Sequence, residues 1–247
     1  DREGNTKLHT QTLAAICPKA KSYEQLMAVC RKLRLPESDC IEVFRRMVFN
    51  VLANNTDDHN KNFSFIMSQD GKWRLSPAYD ITYIIDRGGF LPNEDHCLYI
   101  RGKFRGITRD DILQFAKNNG IRRPDAIIKD VADSLKKFRP IASRYGVNKQ
   151  WIGRVETTII NHLMAWGEIE APTISTAKEI NGHKMSNIRL EQTYKGNYHL
   201  YANIDGMEHK YIIGKNKEEY QLIEKNGIIG ISDEQLTLMA VRLFRLQ

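Results

Sequence analysis

Apolar side chains recur at positions 41, 44, 47, 48, 51 and 52, the mixed three-and-four spacing that gathers them on one side of a helix. Ile41, Phe44, Met47, Val48, Val51 and Leu52 make that side so broad that neighbours have to cover it. The chain is therefore built around a buried helix, and a helical domain has to assemble on it. Ser38 or Asp39 is placed to cap its start. Its end at Ala53 runs directly into Asn54-Asn55-Thr56-Asp57-Asp58-His59-Asn60-Lys61-Asn62, which holds no apolar residue. A rigid helix carrying a polar loop is a platform suited to chemistry that depends on positioning.

Other helices are punctuated clearly. A short one is expected from Thr10 to Ile16, stopped near Pro18. Ser22 and Gln25 form a capping-box pattern before Leu26, Val29, Cys30 and Leu33, and Pro36 breaks that run. Thr108 and Asp111 form a second box, flanked by an Ile107/Ile112 staple and stopped by Gly120. Pro124 opens a helix with Ile127, Ile128, Val131, Leu135 and Phe138 inward, ended before Pro140. Asn148 caps the last, whose stripe of Ile152, Val155, Ile159, Leu163 and Trp166 ends at Gly167; His162 reads as a surface or core histidine.

Beyond residue 168 the period changes. Residues 169–183 read as a linker. Within 184–247, Met185 to Gln192, Tyr198 to Ile204 and Glu208 to Ile213 read as strands, with turns at Gly196-Asn197 and Asp205-Gly206. Asn216 and Ser232 then open two helices. The expected class is α+β: a mainly α-helical lobe over 1–168 with a short β-hairpin, and a small C-terminal βββαα appendage. Tyr194, Tyr198, Tyr201, Tyr211 and Tyr220 in the appendage suit a partner surface or ordinary strand propensity equally.

A hydrophobic content of 41% is enough for a core, and 37 Lys and Arg against 30 Asp and Glu leave a net charge of +7. Such a balance is compatible with phosphate-rich partners but reads first as a solvated basic surface. Cys17, Cys30, Cys40 and Cys97 form no C-x-x-C pair, which fits reduced thiols in a cytoplasmic protein. No apolar run is long enough to span a bilayer, and the Asp1-Arg2-Glu3-Gly4 opening is not a signal peptide. No membrane association is expected.

The polar loop carries the chemical signal. Asn62 follows Asp57 by five positions; Phe63, Phe65 and Met67 then alternate with polar or smaller residues up to an Asp70-Gly71 turn, and Trp73 and Leu75 lead to Asp80. Two strands joined by that turn would return Asp80 toward Asn62. Phosphoryl transfer from ATP needs a carboxylate to orient and deprotonate a hydroxyl, and oxygen ligands to hold Mg²⁺. Asp57 suits the first need, and Asn62 with Asp80 the second. The bland alternative is an Asn/Asp-rich loop whose side chains bond their own backbone. A calcium loop counted from Asp58 fails where Phe63 and Gln69 stand in place of Gly and Glu. A zinc hydrolase built on His59 and Asp57 lacks a second nearby His or Cys.

Thr56-Asp57-Asp58-His59-Asn60-Lys61-Asn62-Phe63-Ser64, followed by Trp73-Arg74-Leu75-Ser76-Pro77-Ala78-Tyr79-Asp80-Ile81, strongly resembles the C-terminal lobe of HipA-like serine/threonine kinases, the toxins of bacterial toxin–antitoxin pairs. The resemblance extends more loosely from Asp1 to about Trp166. It implies a kinase-like lobe with ATP and Mg²⁺ as cofactors and Asp57 as catalytic base. Lys61 would steady the transferred phosphate, Asn62 and Asp80 would ligate the metal, and His59, Asn60, Lys61, Asn62, Tyr79 and Asp80 would line the nucleotide site. It further implies a protein substrate, and an antitoxin or separate N-terminal lobe as partner, with DNA reached only through the antitoxin. Family members carry an N-terminal lobe with a phosphate-covering loop; before residue 71 this sequence offers a single glycine, Gly4, so that lobe is expected elsewhere and this chain alone is expected to phosphorylate weakly or not at all.

Two rival readings stand beside this one. A non-catalytic kinase-like module could dock an antitoxin or other partner, and the net positive charge could bind nucleic acid directly. In the charged loop 86–105, Arg101, Lys103 and Arg105 could hold a phosphate, or the loop is a plain surface connection.

Overall fold

The apolar face that starts near Ile41 belongs to one helix, α3 (Glu37–Leu52), in the computed structural model, which describes residues 2–3, 6–85, 92–169, 178–180, 183–192, 198–204, 206–216 and 219–225. Val43, Phe44, Met47, Val48 and Leu52 are fully buried on it, while Ile41 sits half-buried at its margin. Side chains of this kind contribute roughly 1.5–3 kcal/mol each when buried, so packing rather than capping fixes the helix. Its start bears this out. Pro36 precedes the first turn with no side-chain cap, and neither Ser38 nor Asp39 takes that role.

Asp39 is instead a buried acceptor. Arg74 Nε and Nη2 donate to its two oxygens at 2.8 Å each, and the Leu75 N–H donates at 2.8 Å. This fork ties the start of α3 to a hairpin of β4 (Ser64–Met67) and β5 (Trp73–Leu75), turned at Gly71 with φ +79. A further strand, β3 (His9–Thr12), pairs with the other edge of β4, so the sheet order is β3-β4-β5. The helix expected from Thr10 therefore begins only at Leu13. Thr10, Gln11 and Thr12 pair with Ile66, Phe65 and Ser64, and Thr12 caps the four-residue α1 (Leu13–Ile16). A β-edge offered by distant residues overrides a weak local helix signal. Ahead of it, β1 (Arg2–Glu3) and β2 (Thr6–Lys7) form a minimal ribbon.

Around α3 pack α2 (Tyr23–Lys32), α5 (Pro124–Leu135) and α7 (Lys149–Ala165). Ser22 caps α2 through the Gln25 N–H, although Gln25 reaches back to the Lys21 N–H rather than to the cap itself. On α4 (Arg109–Asn118) the Thr108/Asp111 box forms in full, Ile107 and Ile112 are buried beside it, and Phe115 stacks on Phe44 with ring centroids 6.3 Å apart. Pro140 does not end α5. That helix stops at Leu135, Phe138 opens α6 (Phe138–Arg144), and Pro140 lies in the first turn of α6, where its missing N–H breaks no helical bond. Val155 is only half-buried on α7, while Trp166 is buried and donates its indole N–H to the Ile107 carbonyl at 3.3 Å.

Arg101, Lys103 and Arg105 hold carboxylates. Arg101 and Lys103 reach Asp111 at 3.3 and 2.7 Å, and Arg105 pairs with Asp95. Arg101 and Gly102 both have positive φ, the signature of a tight hairpin turn, and Ile100 and Lys103 exchange backbone bonds across it. Gly88 and Gly89 lie outside the described residues.

By its internal contacts the chain divides into Asp1–Glu168, just described, and Ile169–Gln247. In the second unit β6 (Lys178–Ile180), β7 (His183–Gln192), β8 (Tyr198–Ile204), β9 (Met207–Asn216) and β10 (Glu219–Lys225) form one antiparallel meander, with Ala202 and Ile204 buried. The helix expected to open at Asn216 is thus a strand, because β9 offers an edge along which Tyr220 to Lys225 pair. A short apolar run does not distinguish the two states by itself. Residues 178–180, read as linker, also join the sheet, and the helix expected from Ser232 lies outside the described residues. Among the described residues no helix is long and apolar enough to cross a membrane.

Burial alone would raise the Asp39 carboxyl, but the Arg74 fork and the Leu75 N–H outweigh it and hold the group below its ordinary value. A depressed carboxylate stabilises the fold above its unfolded value, about 3.9, and loses that contribution as pH falls through the folded one. Asp39→Asn should therefore destabilise by about 2 kcal/mol at pH 7, and the gap to wild type should shrink below about pH 4. Urea unfolding followed by circular dichroism at both pH values measures it.

Candidate active site

The loop after α3 turns out of the helix at Asn54, a non-glycine residue with φ +56. Asn54 can hold that conformation because its side-chain amide donates to the carbonyls of Ile84 and Asn93 at 2.8 and 3.2 Å. Its own carbonyl accepts from the Ile84 N–H at 3.1 Å, and Thr56 Oγ1 donates to the Asn93 carbonyl at 2.8 Å. The loop is bolted to Ile84 and Asn93 before it reaches its functional residues.

Asp57 and Asp58 then diverge. The Asp58 side chain is wholly buried and takes four donors: Tyr23 OH at 2.7 Å, His96 Nδ1 at 2.8 Å, and the N–H groups of Cys97 and Leu98 at 2.8 and 3.3 Å. A buried carboxylate satisfied in this way is a structural anchor, not an available base. Burial, then the Asp58 charge, raises the Tyr23 phenol well above its usual range, so it stays protonated and donating.

Asp57 faces outward with 48% of its side chain exposed. Its carboxylate has two weak neighbours, His59 Nε2 at 3.8 Å and the Cys97 thiol at 3.7 Å. Desolvation, with the Asp58 and Asp57 charges adding, pushes that thiol up to about 11, so at neutral pH it donates rather than attacks.

Asn62 donates its amide N–H to the Asp57 backbone carbonyl at 2.8 Å. Its nitrogen is thereby committed, and the amide oxygen is the atom available for a cation. Asn62, Tyr79 and Asp80 line one hollow of about 270 Å³, open solvent included, together with Arg46, Asn50, Asn55 and Asp58. Asp80 is exposed and adopts φ +55; such left-handed non-glycine residues collect at functional sites. Tyr79 closes the gap between the two segments, its hydroxyl donating to the Lys61 carbonyl at 2.6 Å and meeting Ser64 Oγ.

The structure thus gathers Asn62, Tyr79 and Asp80 at one hollow, with Asp57 joined to Asn62 beside it. The other three behave differently. Lys61 is exposed, with no carboxylate partner among the described residues. Asn60 directs its amide to the carbonyls of Pro18 and Ala20, both at 3.3 Å, and so braces the loop against the N-terminal segment. His59 is half-buried, and its Nδ1 is enclosed without a partner among the described residues.

A metal would find hard oxygen donors here, one amide oxygen and one carboxylate at the same hollow. That set suits Mg²⁺, which is usually held by one or two carboxylates plus phosphate and water oxygens. Among the described residues no group of three or more His, Cys, Asp or Glu side chains gathers to hold an ion without such help.

The model of the HipA-like C-terminal domain family matches residues 1–138. The chain belongs to that family. A Sinorhizobium fredii protein named "Putative kinase Y4dM" is 27% identical over 145 residues, covering 58% of this chain and 32% of that protein. A Haemophilus influenzae protein named "Putative kinase" is 25% identical over 118 residues, covering 42% of this chain and 34% of its own length. The chain spans about a third of each of these relatives. A solved Shewanella oneidensis MR-1 complex of the toxin–antitoxin system HipA, HipB and its operator DNA aligns with a TM-score of 0.48 and 18% identity, over 59% of this chain and 35% of that one.

Several residues that hold this HipA-like site together escaped the sequence reading. Asn50 on α3 donates to Tyr23 OH at 2.9 Å and accepts from Asn55 at 2.9 Å, and Asn55 in turn accepts from the Thr82 N–H at 3.2 Å. Arg46 donates to Glu42 at 2.9 Å and to the Ser76 carbonyl at 2.8 Å, while its Nη1 is buried without a partner among the described residues. The one available signal was polar residues interrupting the apolar face of a helix. The two aspartates should separate cleanly by substitution: Asp58→Ala loses about 3–5 kcal/mol by stranding buried donors, whereas Asp57→Ala stays within about 0.5 kcal/mol. Thermal and urea unfolding of both variants checks this.

Proposed function

We propose that the unit Asp1–Glu168 is the acceptor-side and metal-side lobe of an ATP-dependent serine/threonine protein kinase, the toxin of a toxin–antitoxin pair. The observation that carries the reading is the split of Asp57 from Asp58: one carboxylate is locked away while its neighbour is exposed and tied through the backbone to Asn62. Asp57 orients the acceptor hydroxyl and takes its proton. The Asn62 amide oxygen and the Asp80 carboxylate would hold Mg²⁺, which when bound would neutralise phosphate charge. Lys61, with no carboxylate partner among the described residues, steadies the transferred phosphate. Tyr79 fixes the spacing between the loop and Asp80, His59 stands on the nucleotide side of the loop, and Asn60 serves that side by bracing the loop through its amide.

The hollow is small and open for a nucleotide. Full enclosure of ATP on this reading needs a second lobe, within a longer chain or on another one. An antitoxin is the partner expected from the family resemblance, with DNA reached through the antitoxin, and the unpaired cysteine spacing suits a cytoplasmic setting.

With that second lobe present, Asp57→Asn should lower phosphoryl transfer to a serine-bearing protein by roughly 10²–10⁴-fold while leaving Mg²⁺-ATP binding intact. Asp80→Ala should remove the Mg²⁺-dependent part of ATP binding in calorimetry. Full transfer by Asp57→Asn would refute the assignment, and a cellular phenotype that survives it would favour a docking module.

A further inference from the structure

The elbow joining α6 to α7 exposes large apolar side chains that nothing in the site uses. Ile141 is 51% exposed, Tyr145 79%, Val147 42% and Trp151 43%. Single exposed apolar residues are ordinary, but here four fall at one elbow, between positions 141 and 151. The elbow is held by hydrogen bonds at both ends. Val147 N–H bonds the Ala142 carbonyl at 3.0 Å, Gly146 turns the chain at φ +74, and Asn148 caps α7 through the Gln150 N–H at 2.8 Å.

Charge around it is one-sided. From 136 to 155 the chain carries Lys136, Lys137, Arg139, Arg144, Lys149 and Arg154 with no Asp or Glu. Lys136 is held by Asp133 and Arg139 by Glu156, and Arg154 lies over the Trp151 ring at 4.8 Å from its centroid. Lys137, Arg144 and Lys149 have no carboxylate partner among the described residues.

We infer that this elbow is a docking surface for an acidic, apolar-bearing segment of a partner protein. Trp, Tyr and Arg are the residues that dominate binding energy at protein interfaces, and here they stand at one elbow. The unpaired cations supply charge complementarity to carboxylates and steer the encounter. Nucleic acid fits less well: Ile141 and Val147 have no stacking face to offer bases, and one face of Trp151 is already covered by Arg154. The inference does not depend on the kinase reading, since none of its residues lines the hollow.

The probe is a fluorescein-labelled synthetic peptide with Glu on one helical face and Leu and Phe on the other. Its Lys-for-Glu analogue, duplex DNA and phosphatidylserine vesicles serve as comparisons, all against the full chain. The acidic peptide should bind, more weakly as NaCl rises, and Trp151→Ala or the pair Arg144→Glu with Lys149→Glu should each cut affinity about tenfold or more. Lys72→Glu, on the β4–β5 turn, should leave binding unchanged. Thermal melts verify folding, and Tyr145→Ala, the most exposed position, replaces any variant that melts early. Absent peptide binding, tighter binding to DNA or vesicles, elbow variants equal to wild type, or an equal loss with Lys72→Glu would each overturn the inference.

Discussion

A carboxylate with no exposed surface governs this lobe. Asp58 draws donors from α2, from the loop's own neighbours at 96–98 and, through Tyr23, from α3. A buried charge is tolerated only when its lone pairs are met, so each of these segments has one position it can occupy. The chain continues through Asn50 and Asn55 to the Thr82 N–H, just beyond Asp80. One connected polar network therefore fixes both sides of the hollow. Such networks add little net stability but specify geometry, because a half-satisfied arrangement is worse than an apolar one.

That geometry explains how adjacent aspartates come to differ. Asp58 takes four donors, and Asp57, one residue earlier, is left with a thiol and an imidazole at weak contact distances. The Asp57 carboxylate is exposed and lightly engaged, while the backbone beside it is hydrogen-bonded to Asn62. Asn54 and Asp80 carry positive φ at the two ends of the arrangement, each held where a free chain would rarely sit. Tyr79 then links the second of them to the Lys61 carbonyl, so the loop and the segment after β5 are set against each other directly.

The hairpin between them is fixed by a different carboxylate. Asp39, at the start of α3, receives Arg74 and the Leu75 N–H, so the strand leading to Asp80 starts from the same helix whose end leads to Asp57. Both halves of the candidate site thus take their bearings from α3. Its apolar face, buried against α2, α5 and α7, keeps it in place.

Local signals of the sequence determined a good deal. The helical spacing of α3, the Thr108/Asp111 box, the Gly71 and Gly120 stops and the period change after residue 168 are all decided by residues within a few positions of one another. That Asn62 and Asp80 would meet at one hollow was legible for the same reason: loop, strand, turn and strand follow one another without a gap. What the sequence left open were matters of partnership. Thr10 to Thr12 and Glu219 to Lys225 became strands because a distant edge was there to pair with. Asp39 became an anchor instead of a cap because Arg74 arrived from 35 residues away. Which of two neighbouring aspartates would be buried was likewise settled by Tyr23 and His96, 35 and 38 residues distant. Propensity and spacing are written into neighbouring residues, but the desolvation and pairing of a charge exist only once the chain has closed around it.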